Sequence, residues 1–256
     1  MINIEKAKNE FKKYISEYDL TDSNIDRKVY HSFRVMDYSE KIAKSLKLDE
    51  EQIELAILIG LLHDIARFEQ YKTYHTFSDE KSNFDHASKG SEILERDNFI
   101  RKFIETSEYD NIIRTAIKNH NKFQIEDGLN YTTLMYSKIV RDADKLDILY
   151  EAVEMFWKSE QEIKEIENTT ISDKYLNYIK NNKVILKDEK NQSKLDAVIL
   201  IISFVFDINF KYSLKNILDN DYINKILNRF DYKNEETKQQ IELIKKITYN
   251  YLKKNI

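Results

Sequence analysis

Four histidines and two aspartates stand in this sequence where apolar side chains would be expected. His31 lines up with Val35, Tyr38, Ile42 and Leu46 at steps of four, three, four and four, so on a helix its imidazole faces inward. The run LAILIGLL, Leu55 to Leu62, is apolar all round and leads straight into His63 and Asp64. A carboxylate buried there needs a cation or must take up a proton. His120 continues the stripe of Ile113, Ala116 and Ile117. Asp144 follows Tyr136 and Val140 and precedes Ile148, and His86, after Asp85, opens a further helix. Any one inward histidine is more often a hydrogen-bonded core residue than a ligand, and Asp144 alone could pair with Arg34 or Arg141. The joint occurrence on separate helices is what favours metal. Imidazole with carboxylate suits Mn, Fe, Co, Ni or Zn, and the number of donors exceeds what one tetrahedral ion needs.

Helices must position these groups. Among 256 residues there is no proline and there are only three glycines, too few turn residues for sandwiches, barrels or Gly-rich nucleotide-binding folds. An all-α chain follows. Periodicity and capping residues predict helices over 3–17, 24–46, 50–66, 85–96, 108–121, 132–156, 159–166, 172–181, 192–210, 213–229 and 234–254. Asp22 to Asn24 and Asp49 are candidate N-caps. Two stretches read as irregular, 69–84 and 122–130. No linker or repeat divides the chain, so residues 1–156 are expected to form the metal-binding core and 157–256 to complete the same domain, shape the pocket mouth or supply a dimer surface.

Composition narrows the chemistry. The chain has no cysteine, so a thiolate nucleophile, a disulfide and a Cys-ligated metal are excluded. A net charge of −4 gives no global cationic field, and long nucleic acid is not an expected partner. The longest apolar run, Ala197 to Phe206, is well short of the ~20 residues that span a bilayer. The first residues lack the apolar stretch of a signal peptide, and a cytoplasmic location is expected.

The same residues carry a family resemblance. His31 with Arg34-Val35, GLLHDIA from Gly60 to Ala66, DHASKG from Asp85 to Gly90, NHN from Asn119 to Asn121 and RDADKLD from Arg141 to Asp147 resemble the HD-domain superfamily of metal-dependent phosphohydrolases, over roughly residues 25–155. Ala66 stands where glycine is common in the nearest members. The resemblance implies an all-α core in which His31, His63, Asp64 and Asp144 hold one metal. It also implies that His86 and His120 add a second, with Asp64 bridging. Two ions could clamp a phosphate and activate a water, so that hydroxide attacks phosphorus in line. Mn, Fe, Co or Ni are the expected metals, with Zn or Mg as further options. The implied substrate is a small phosphoester or phosphoanhydride, with a nucleotide favoured.

Phosphate must meet cations, because so few glycines offer no backbone cradle. Arg67 and Lys89, each three residues after a metal-type residue, and Lys145, next to Asp144, are the best placed; for each, an ordinary surface charge is the competing reading. The segment 69–84 could stack a base on Tyr71, Tyr74, Phe77 or Phe84, or pack them on the core, and His75 has no place in the pattern. Two other functions compete. One is a di-iron oxygenase, which some HD-domain relatives are with the same donors, and the other is a non-catalytic sensing or interaction module.

Overall fold

The computed structural model describes residues 1–186 and 192–256. Helix makes up 71% of the structure and no strand occurs among the described residues, as the all-α expectation requires. Two compact units divide the chain, 1–144 and 145–256. The sequence reading drew its line at 156/157, whereas this division falls inside one long helix.

In the first unit α1 spans Ile4–Ile15, α2 Ser23–Ser45, α3 Glu50–Leu62, α4 Ala66–Tyr74, α5 Asp79–Ser82, α6 His86–Glu95 and α7 Asp110–Asn119; a 3-10 segment covers Arg96–Lys102, and α8, Tyr131–Glu154, begins here. Side-chain oxygens start most of these helices by accepting orphan amide protons. Asp22 accepts from Asn24 N, Asp49 forms a capping box with Gln52, and Asp85 accepts from Ala87 N and Ser88 N. α3 is buried from Leu55 to Leu62 and packs along α2. Gly60 permits that approach, since a Cβ there would lie 2.5 Å from Ser39 Oγ and 3.0 Å from the Val35 carbonyl oxygen. Gly90 does the same for α6 on α7, where a Cβ would meet Ile117 Cγ2 at 3.2 Å.

α3 was expected to run to residue 66, but it stops at Leu62. Ile65 N bonds Leu62 O and Arg67 N bonds Asp64 O, three residues back each time, which tightens the chain into a turn over His63 to Ile65. Tyr14 Oη donates to Ile65 O at 3.1 Å and satisfies a carbonyl that this turn leaves over. The segment 69–84 is not irregular throughout: α4 reaches Tyr74 and ends on His75 in the left-handed region, and α5 ends the same way on Asn83.

The second unit contains the end of α8, then α9 Glu160–Asn168, α10 Asp173–Lys180, α11 Lys194–Ser203, a 3-10 segment Phe204–Asp207, α12 Lys211–Asp219, α13 Tyr222–Leu227 and α14 Glu235–Asn255. α11 is its core, burying Leu195, Val198, Ile199, Leu200 and Ile202 between α9 and α10. The single helix expected over 213–229 is two, because Asp221 sits at φ 52° and breaks it. Arg229 donates to the carbonyls of Ala152, Val153 and Trp157, placing a cation at the C-terminal end of α8. No helix among the described residues is long and apolar enough to cross a membrane.

Candidate metal centre

Five of the six expected donors come from buried positions. His31 lies mid-way along α2, His63 and Asp64 in the turn that ends α3, His86 at the first residue of α6 and His120 just past α7, and none is more than 3% exposed. The sixth, Asp144 on α8, keeps 16% of its side chain exposed. The first unit brings all six together.

The two oxygens of Asp64 face different histidines. Oδ2 lies 3.3 Å from His31 Nε2 and 3.6 Å from His63 Nε2. Asp144 Oδ1 closes the same group, 3.3 Å from His31 Nε2 and 3.8 Å from His63 Nε2. Oδ1 of Asp64 instead lies 3.4 Å from His86 Nε2 and 3.5 Å from His120 Nε2. The result is two donor groups sharing one carboxylate.

Hydrogen bonds at the far side of the rings decide where the lone pairs point. His63 Nδ1 donates to Gly60 O at 2.8 Å, His120 Nδ1 to Ile117 O at 2.7 Å and His86 Nδ1 to Asp79 Oδ2 at 2.6 Å. Those acceptors carry no proton, so each neutral ring has its proton on Nδ1 and a lone pair on Nε2. His86 and His120 then present lone pair to lone pair at 3.0 Å, and Asp64 Oδ1 beside them is buried without a hydrogen-bond partner. Three unprotonated donors converging in this way repel one another until a cation sits among them. The residues fit a metal.

Burial pushes His63 down to about 3 and His86 down to about 4, so both rings are neutral near pH 7. For Asp64, burial works against the charge, but the Lys28 ammonium 2.7 Å from Oδ2, with the surrounding imidazoles, holds the carboxyl well below its ordinary range. For Asp144 burial likewise opposes ionisation and the His31 imidazole outweighs it.

Residues 29–149 match the family model of the HD domain. The segment is an HD domain. No match was found among curated proteins or among solved structures. HD domains are mostly metal-dependent phosphohydrolases, and the buried His and Asp groups described above can hold metal ions.

The HD domain places the three expected phosphate-binding cations differently. Arg67 Nε is 3.5 Å from Asp64 Oδ1 and has no hydrogen bond, while its Nη1 is held by Gln70, the Phe77 carbonyl and Asp79. Lys89 is 45% exposed and pairs with Glu92; Lys145 pairs with Asp207 at 2.9 Å. Arg141 donates to the carbonyls of Asn119, His120 and Lys122 and so fixes the chain around His120. Tyr71 stacks on Phe77 at 4.8 Å and His75 is exposed.

Sequence reasoning missed Lys28 and Asp79. Lys28 lies three residues before His31, on the same inward stripe, and that spacing could have found it. Asp79 had no such signal, being one acidic residue in a polar stretch without helical period.

Proposed function

We propose that this chain is a dinuclear metal-dependent phosphohydrolase acting on a small phosphoester or phosphoanhydride, with nucleotides as the first class to test. The observation that carries this reading is the division of the two Asp64 oxygens between the His31, His63 and Asp144 group and the His86 and His120 group. In the proposal His31, His63, Asp64 and Asp144 hold one ion, and Asp64, His86 and His120 hold the other. Mn, Fe, Co or Ni suit such mixed nitrogen and oxygen donors, and Zn or Mg remain options. When bound, two such ions would supply Lewis acidity toward phosphoryl oxygens and lower the pKa of water toward neutrality.

The protein's own contribution is fixed charge around Asp64. Lys28 touches Oδ2 and Arg67 approaches Oδ1, so a phosphate arriving at this carboxylate meets two cations already in place. Lys89 and Lys145 would have to leave Glu92 and Asp207 to join them. Burial excludes bulk water from the donor groups and strengthens each of these interactions.

The test is anaerobic turnover by Mn-reconstituted protein in ¹⁸O-labelled water, screened over mono-, di-, cyclic and dinucleotides. Label in the released phosphate or phosphate-bearing product, at an unchanged rate without dioxygen, is the expected result. Activity that appears only with iron and dioxygen would overturn hydrolysis in favour of oxygenation at carbon. No turnover in either arm, with metal bound, would favour a sensing module.

A further inference from the structure

Asp79 lies on the first turn of α5, outside the six donors, and each of its oxygens meets two donors from a different side. Oδ1 accepts from Arg67 Nη1 at 2.9 Å and from Gln70 Nε2 at 2.9 Å. Oδ2 accepts from His86 Nδ1 at 2.6 Å and from Asn121 Nδ2 at 3.3 Å. We propose that Asp79 is a positioning residue that locks His86 in the tautomer able to bind the second ion and, through its other oxygen, ties that ion's site to Arg67. The inference rests on the dinuclear reading above.

The chemistry requires a carboxylate here. With donors on both sides, an amide in the same place must turn its NH2 toward one of them. The charge-assisted bond from Arg67, together with Gln70, is the stronger claim on the single amide oxygen, so the NH2 faces His86. Nδ1 of His86 must then accept, its proton moves to Nε2, and the nitrogen that faces Asp64 Oδ1 and His120 no longer offers a lone pair. Asp79 thus connects a metal ligand and a substrate-side cation through one rigid group. Donors on both oxygens, the Arg67 guanidinium among them, suit the ionised carboxylate in this place. Asp85 supplies the contrast. It also lies near His86, but its oxygens serve as the N-cap of α6, accepting from Ala87 N, Ser88 N and Ser88 Oγ, with Asn121 at 3.1 Å.

The experiment is a Co²⁺ titration of the metal-free full chain, followed by visible absorption, on wild type, Asp79→Asn, Asp79→Glu and Asp85→Asn. Imidazole ¹⁵N–¹H correlation spectra of the metal-free forms are read alongside. Wild type should bind two ions. Asp79→Asn should bind the first ion as wild type does and the second ~10–100-fold more weakly, with one ring, His86, changed from the Nδ1–H to the Nε2–H tautomer. Asp79→Glu, which keeps two acceptor oxygens, should restore the Nδ1–H tautomer and most of the affinity. Asp85→Asn should leave both ions in place.

Two bound ions and an unchanged His86 tautomer in Asp79→Asn would overturn the inference while leaving the dinuclear reading intact. Equal weakening by Asp79→Asn and Asp85→Asn would also overturn it, since that reports local charge alone. Wild type that binds a single ion would overturn the dinuclear reading itself. If Asp79→Asn does not fold, Asp79→Glu decides: an Nε2–H ring at His86 despite the retained carboxylate overturns the proposal, and an Nδ1–H ring supports it.

Discussion

At the scale of single residues the centre turns on Asp64, whose oxygens are shared between two donor groups and a lysine. Asp64→Ala should therefore lose both ions by elemental analysis, with helical circular dichroism kept, whereas His120→Ala should lose mainly one. Retention of both ions by the Asp64 variant would contradict the sharing. Lys28 makes a second, opposite point. Without metal it is the cation in direct contact with a buried carboxylate that Arg67 approaches only at 3.5 Å, and Lys28→Met should destabilise the metal-free protein by about 3–5 kcal/mol, the usual result of removing one partner of a buried pair. With metal bound the loss should be smaller, because the ions supply positive charge in its place. Urea midpoints with and without chelator test this, and equal losses would show that Lys28 and the ions act on Asp64 independently. The six candidate donors were legible in the sequence, His31, His120 and Asp144 from their places on apolar stripes, His63 and Asp64 from the end of the apolar run Leu55 to Leu62, and His86 as a helix-opening residue within the family's motif. Asp79 was not, since a carboxylate in a polar stretch of sequence acquires meaning only when α4 and α6 bring Arg67 and His86 to its two oxygens.

At the scale of elements the site depends on how closely helices approach. Gly60 lets α3 meet α2, and its carbonyl accepts from His63 Nδ1, so packing and ring orientation share one residue. Gly60→Ala would place a methyl group 3.0 Å from a backbone oxygen that cannot move aside. A cost of about 1–3 kcal/mol in urea unfolding is expected, together with weaker binding of the ion assigned to His31 and His63. A neutral substitution would mean that α2 and α3 can separate without penalty. Most helices were visible from their periods, and the failures have physical causes. α4 escaped notice because its buried face includes Gln70, a polar side chain in an apolar position, held there by Arg67, Asp79 and Ser82. α12 and α13 read as one helix because their apolar period continues across Asp221, and only a backbone angle at that residue divides them.

At the scale of the whole molecule the buried rings make stability depend on pH. Burial pushes His63 down to about 3 and His86 down to about 4 in the folded protein, against about 6.5 in an unfolded chain. Between these values the unfolded chain binds protons that the folded one refuses, so stability rises with pH and falls on acidification from about 6.5 toward 4. Each ring adds a slope of up to about 1.4 kcal/mol per pH unit. Asp79, lowered to about 2, adds a loss of the same sign once the pH drops below about 4. Urea unfolding of chelator-treated protein at pH 7, 6 and 5 should show falling midpoints, and a flat profile would mean that the folded rings take up protons as readily as the unfolded ones. The spread of the donors along the chain bears on time as well as on energy. His31 and His63 are 32 residues apart, His86 and His120 are 34 apart, and Asp144 comes last. A chain emerging from the ribosome cannot complete the first donor group until residue 144 is out, by which point the earlier helices are free to have formed. Ions that join only after assembly leave the folding rate alone and slow unfolding, so metal would set how long the folded molecule lasts and not how fast it is made.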